Sequence, residues 1–187
     1  MIPIKNKKKS LEVTVEEMRN FAFNYIEKFA PSKQQLKTYL LKKYLKSKIQ
    51  SVKKSNIKDL IDIVIEDLEK SKFINDKFYS ESKAKSLIQR GSSINKIRNY
   101  LFNKGVGEKY IKNTIDKIQN NNEDQDFFSA IKICKKKRIG PSRHEDNRLL
   151  FYKKDLGILA RSGFDFETSK KVLEIKKEDY QKIINLL

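Results

Sequence analysis

Leu101-Phe102-Asn103-Lys104-Gly105-Val106 is the stretch that decides the fold of this 187-residue chain. It is a leucine, three further positions, and then a residue that ends a helix. The same frame stands at Leu159-Ala160-Arg161-Ser162-Gly163-Phe164 and at Leu40-Leu41-Lys42-Lys43-Tyr44. Leu40, Leu101 and Leu159 lie about 60 residues apart, and a near-constant period of that size means one supersecondary unit used three times. The pattern predicts an elongated stack of small helical modules, a form that suits gripping a long polymer better than enclosing a small substrate.

Outward from those turns, apolar spacing and capping residues predict nine helices in three groups. Met18, Phe21, Ala22, Tyr25, Ile26 and Phe29 share one face of a helix over 15–29. Thr14 is its predicted N-cap, with Glu17 at capping-box spacing. Pro31 stops that helix and Ser32 caps the next, whose buried side is Leu36, Tyr39, Leu40 and Tyr44. A third helix, opened by Ser55 or Asn56, turns Ile57, Leu60, Ile61, Val64, Ile65 and Leu68 inward. The second group is predicted at about 76–90, 93–104 and 107–119, with Gly91 and Gly105 just past helix ends, where a left-handed residue is needed. Asn120-Asn121-Asn122-Glu123-Asp124 reads as a linker. The third group is predicted at about 126–138, 147–162 and from 166 onward, with a break near Lys176-Lys177; Ile139–Asp146 is a loop special to it. The expected organisation is a basic tail over 1–12 and three-helix repeats over 13–73, 74–122 and 123–187. Few prolines (3) and glycines (6) leave little room for the turns of a sheet, so the class is all-α.

A formal net charge of +18 favours a polyanionic partner: nucleic acid, an acidic protein surface or an anionic membrane. Part of the excess is lysine that accompanies abundant Asn and Ile, a mix that AT-rich coding also produces. The bases are grouped. Residues 33–54 hold eight lysines and no acid. Residues 83–104 hold Lys83, Lys85, Arg90, Lys96, Arg98 and Lys104 and no acid. Residues 132–143 hold Lys132, Lys135, Lys136, Lys137, Arg138 and Arg143, again with none. Residues 59–69 are the reverse, with Asp59, Asp62, Glu66, Asp67 and Glu69 and no base. Each repeat thus contributes one basic stretch. On 33–46 the lysines surround much of the exposed arc, so a merely solvated face fits that stretch as well. One cysteine, Cys134, permits no internal disulfide and fits a reducing, cytoplasmic compartment. No run approaches the length of a membrane span, and Met1–Ser10, lysine-rich without an apolar run, is expected to be a disordered basic tail rather than a signal.

Three further stretches carry a family likeness: Phe73-Ile74-Asn75-Asp76-Lys77-Phe78-Tyr79-Ser80, Ile97-Arg98-x-x-Leu101-x-x-Lys104-Gly105-Val106, and Leu159-Ala160-Arg161-Ser162-Gly163-Phe164 followed by Val172-Leu173. In order and recurrence they resemble the RecX family of recombination regulators, from about Val15 onward. The resemblance implies three tandem three-helix repeats in a curved module. It also implies a partner, the helical filament that RecA forms on single-stranded DNA. Such proteins sit in the filament groove, contact more than one protomer, and restrain strand exchange, ATP hydrolysis and coprotease activity in DNA repair and the SOS response; some also touch DNA. The chain departs from the family pattern at Tyr44, where glycine is common, at Gln35, where an acid is common, at Ser80, often alanine, and at Ser162 within a run that is usually richer in arginine.

The expected contact residues for filament or nucleic acid are Lys37, Lys43, Arg90, Lys96, Arg98, Lys104, Lys135, Lys136, Lys137, Arg138, Arg143, Arg148 and Arg161. Among them Lys135–Arg138 with Arg143 form the best local cluster, because four consecutive bases exceed what a helix dipole needs. Tyr39 and Tyr100 occupy equivalent repeat positions. Stacking on an exposed base is one reading of them; closing the edge of the core is the other, and Ile158 in the third repeat favours the second. Asn75-Asp76 reads as a capping pair. His144 stands alone, Cys134 reads as a packing residue, and Gly105-Val106-Gly107 lacks the strand and spacing of a phosphate loop. The residues suggest no catalysis, metal or cofactor. The resemblance, with no catalytic residues suggested, therefore implies a monomeric, non-enzymatic, negative modulator of RecA. The alternatives are a basic helical DNA-binding or architectural protein without a recombinase partner, and a helical scaffold for an unrelated protein.

Overall fold

The computed structural model describes residues 11–46 and 54–187, and among them it is all-helical. The tail expected at Met1–Ser10, and Lys48 and Lys53 of the first basic stretch, lie outside the described residues. Among the described residues ten α-helices and one 3-10 turn follow each other; the tenth helix comes from the break expected in the last of the nine read from the sequence. The chain divides into two compact units, Met1–Asp76 and Lys77–Leu187.

The first unit contains α1 (Val15–Phe29), α2 (Lys33–Lys46) and α3 (Lys54–Lys70). Thr14 is extended and its hydroxyl accepts from the Glu17 N–H at 3.2 Å, so one orphan donor of α1 is satisfied. At the start of α2, Ser32 and Gln35 form a reciprocal box: Gln35 N–H donates to Ser32 Oγ at 3.2 Å and Ser32 N–H to Gln35 Oε1 at 3.1 Å. Gln35 thus does the work of the expected acid. A second donor, Lys33 N–H, goes to Asp76 Oδ1 at 2.8 Å. The core is Met18, Ala22, Leu36, Leu40, Tyr44, Ile57, Ile61, Val64, Ile65, Leu68 and Ile74. Each such side chain contributes about 1.5–3 kcal/mol of burial when large and fully enclosed. Tyr44 is a correction to the repeating frame. It does not end α2, which runs on to Lys46, and its fully buried ring fills the core that a glycine would leave open. Burial, and then the Glu17 carboxylate nearby, push the Tyr44 hydroxyl well above the ordinary tyrosine range. Ser55 and Asn56 lie inside α3 rather than ahead of it.

The second unit holds two hydrophobic clusters. α4 (Asp76–Gln89), α5 (Ile94–Asn103) and α6 (Glu108–Asn121) supply Tyr79, Ala84, Ile97, Leu101, Val106, Ile111 and Ile115 to one of them. Ser80 is buried beside it without an orphaned hydroxyl, since it donates to Lys77 O at 2.8 Å and accepts from Thr114 Oγ1 at 3.0 Å. α7 (Gln125–Lys137), the 3-10 turn (Gly140–Ser142), α8 (Glu145–Arg161), α9 (Phe166–Leu173) and α10 (Lys177–Leu186) enclose the other, with Ala130, Ile131, Cys134, Ile139, Leu159, Phe164, Val172, Leu173 and Tyr180. The break expected near Lys176-Lys177 falls at Glu174–Lys176 and divides the last stretch into α9 and α10.

The turns after Leu101 and Leu159 close identically. Val106 N–H reaches back to Leu101 O and Gly105 N–H to Phe102 O; Phe164 and Gly163 do the same to Leu159 and Ala160. This pair of bonds needs a left-handed residue, which Gly105 (φ 70°) and Gly163 (φ 92°) provide. At Gly163 there is a second constraint, because a Cβ there would overlap Ser93 Oγ. That hydroxyl caps α5 by accepting from Lys96 N–H at 3.1 Å and itself donates to Ser162 O at 3.0 Å. Asp126 adds to the same helix start, accepting from Ile94 N–H at 2.8 Å. This repeats in the second unit what Asp76 does for Lys33 in the first.

Candidate functional site

In the second unit the basic end of α7 is held open to solvent by what faces inward. Ala130, Ile131 and Cys134 are buried, so helical spacing turns Lys135, Lys136 and Lys137 outward, and all three are exposed. Arg138 takes the left-handed cap (φ 54°), and its exposed side chain leaves the helix there. Arg90 joins this group because the end of α4 runs hard against α7. A Cβ at Gly91 (φ +78°) would stand 3.0 Å from Ser129 O and 3.1 Å from Lys132 Cβ. Only glycine admits that approach. Gln89, Arg90, Lys132, Lys135, Lys136, Ile184 and Leu187 then line an open concavity of about 630 Å³, four cations and no acidic side chain. Lys132, partly buried, lies outside the sequence-derived contact set, because only the Gly91 approach reveals that it sits beside Arg90.

The remaining expected contacts divide into outward and inward residues. Lys96 and Arg161 are exposed. Arg98 pairs with Glu108 at 3.1 Å and Lys104 lies 5.4 Å from the Tyr100 ring; none of the four lines the concavity. Two arginines are corrected by the structure. Arg143 is not presented by its loop: Nε and Nη2 donate to the two carboxylate oxygens of fully buried Asp155 at 2.6 and 2.8 Å, and the guanidinium lies over Phe151. Asp155 also accepts from Gly140 N–H at 2.8 Å, which fixes the 3-10 turn. Burial alone would raise that carboxyl; the bonds from Arg143 and Gly140 outweigh it and hold Asp155 below the usual carboxylate range. Arg148 is likewise turned inward, donating to Leu173 O at 2.9 Å and Ile175 O at 2.6 Å, so it closes the end of α9.

In the first unit, α3 neutralises one side of the basic stretch. Lys33 meets Glu69 and Lys37 meets Asp62, both at 2.5 Å, and Arg19 meets Asp67 at 2.6 Å. Lys43 points elsewhere, its ammonium 3.6 Å from the Phe21 ring centroid. Tyr39 lies flat against Tyr25, with centroids 4.1 Å apart and planes 12° apart. Lys42 and Lys46 are exposed, and no ion pair among the described residues takes their charge.

The chemistry of these surfaces is electrostatic. Among the described residues no group of His, Cys, Asp and Glu could hold a metal ion, and no helix is long and apolar enough to cross a membrane. Cys134 is fully buried and burial pushes its thiol up to about 12, which removes it as a nucleophile.

No family model matches the chain. It is 30% identical over 174 residues to the regulatory protein RecX of Myxococcus xanthus, covering 89% of each. It is 27% identical over 137 residues to the regulatory protein RecX of Clostridium perfringens strain SM101, covering 73% of this chain and 62% of that one. A crystal structure of a regulatory protein RecX superposes with a TM-score of 0.60 over 86% of this chain and 74% of the other, at 16% identity, a likeness of fold.

Proposed function

Since the chain belongs to the RecX family of regulatory proteins, we propose that it is a non-enzymatic, negative modulator of RecA. In this reading it binds in the groove of the RecA filament on single-stranded DNA and lowers ATP hydrolysis, strand exchange and coprotease activity. The likeness to the Myxococcus xanthus protein along 89% of both chains carries this reading. The α7 cluster supports it, because basic side chains around a concavity without acidic side chains suit a partner that is itself a polyanion coated with protein. Several weak contacts on successive identical protomers would combine by effective concentration, so no single strong site is needed.

The test is binding at physiological salt to single-stranded DNA, with and without a preassembled RecA filament, while ATP hydrolysis is followed. Much tighter binding to the filament with falling hydrolysis is the expected result. The +18 charge favours one rival, a DNA-binding or architectural protein without a recombinase partner. It would bind bare DNA as well or better and leave hydrolysis unchanged. Replacing Lys135, Lys136 and Arg138 by glutamate is expected to weaken filament binding and relieve inhibition together. Unchanged binding would show that α7 is not the contact.

A further inference from the structure

On α1, Phe21, Tyr25 and Phe29 stand four residues apart and so share one stripe of the helix. Two rings of that stripe meet each other, and one of them meets α2. Tyr25 meets Phe29 at 4.8 Å between centroids and is covered face to face by Tyr39 at 4.1 Å. At one end of the stripe Lys43 caps the Phe21 ring. At the other end Phe29 is 52% exposed, with the Lys28 ammonium 5.4 Å from its centroid. Packing of the core accounts for the inner rings, but it does not call for a phenylalanine left half in water at the end of a stack.

The charges along the stripe say what would cover the whole face. Tyr39, Lys42, Lys43 and Lys46 fall at helical spacing on one face of α2. Of the α3 acids, Asp62, Asp67 and Glu69 pair with Lys37, Arg19 and Lys33, and Glu66 with Lys70; no ion pair among the described residues takes Lys28, Lys42 or Lys46. Glu27 is two residues from Phe29 and therefore does not face it. A neutral apolar partner would gain from the rings but would have to bury or displace the ammonium groups. A planar group borne on a phosphate chain satisfies both, one part on the ring face and the other on the lysines. Duplex DNA hides its base faces in its own stack; an unpaired strand does not.

We propose that this α1–α2 face is a stacking platform for unpaired nucleobases of single-stranded nucleic acid, with Phe29 as the terminal ring, Lys28 beside it, and Lys42 and Lys46 on phosphates farther along the strand, toward the Phe21 end of the stripe. The proposal narrows the polyanion part of the reading above and rests on it, while standing apart from any contact with RecA protein.

The chain contains no tryptophan, so F29W places a single indole at the end of the stack. The full-length protein and this variant are titrated with oligothymidylate about 30 nucleotides long, with an abasic deoxyribose-phosphate strand of the same length, and with a duplex. Wild type is expected to bind the oligothymidylate about tenfold tighter than the abasic strand. F29A should lose that preference while keeping the weaker, salt-sensitive binding common to both. Indole emission of F29W should be quenched by the oligothymidylate and not by the abasic strand or the duplex. Equal binding of both single strands, without quenching in F29W, overturns the platform and leaves the filament reading standing, to be judged by its own ATPase test. Failure to bind either strand overturns the platform together with the polyanion reading on which it rests. Because F29W preserves an aromatic ring at an exposed position, it decides the question even if F29A folds poorly.

Discussion

Asp155 shows how one carboxylate redirects a cation that the sequence offers as a binding residue. It is fully buried, takes both arms of Arg143 and pins Gly140. D155N is expected to lower unfolding free energy by about 2–3 kcal/mol in a urea titration, at or below the low end for a broken buried pair because Arg143 keeps some contact with water. The folded carboxyl is held below its unfolded value, so the pair contributes fully above about pH 3.9 and the contribution fades as pH falls through the folded value. The gap between wild type and D155N should therefore narrow below about pH 4. Asp126 is opposite in sign: burial raises its carboxyl although Ile94 N–H opposes this, so its charge costs stability at neutral pH. D126N keeps an acceptor and should unfold within about 0.5 kcal/mol of wild type, whereas D126A should lose about 1 kcal/mol with the cap. None of this is legible in the sequence. A basic residue near a helix end reads the same whether its partner is a phosphate or a carboxylate brought in by another helix. Nothing local marks an acid in one helix as the cap of another.

Elements were more legible than contacts, because periodicity and capping are local. Thr14, Ser93, Gly105 and Gly163 each mark a helix boundary through bonds within a few residues of themselves. The misreadings came where tertiary packing overrode a local signal. Tyr44 stands at the frame's turn position yet is helical, since the α1–α3 core rewards a large ring there. G163A should cost more than the usual glycine-to-alanine change, about 2–3 kcal/mol by thermal melting, because it combines a left-handed backbone with overlap on Ser93 Oγ. Lys72 tests the converse. It closes α3 at φ 61° with its N–H on Glu69 O, in the place glycine fills elsewhere. K72G should stabilise the chain by about 0.5–1 kcal/mol, the relief of the left-handed strain less the added freedom of the unfolded glycine.

At the scale of the whole molecule, charge was legible as an amount and only partly as an arrangement. The total, +18, is plain from composition. That α3 absorbs part of the first basic stretch, and that Arg90 and Lys132 join Lys135 and Lys136, appears only once helices pack. If those four residues meet phosphate, K135Q/K136Q should flatten the dependence of log affinity on log salt by about 0.7 per residue on single-stranded DNA and leave the melting temperature unchanged. The second unit also carries its own reporter of motion. Cys134 is the chain's one thiol, enclosed among Ile131, Ile139, Leu159 and Leu173, and its proton is held so tightly that the folded site offers almost no thiolate. A disulfide reagent at mild alkaline pH can react only when that cluster parts. The labelling rate thus clocks the breathing of the α7–α10 core alone. If the proposed RecA filament engages α7, comparing that clock with and without the filament would tell whether the contact tightens the helix behind it.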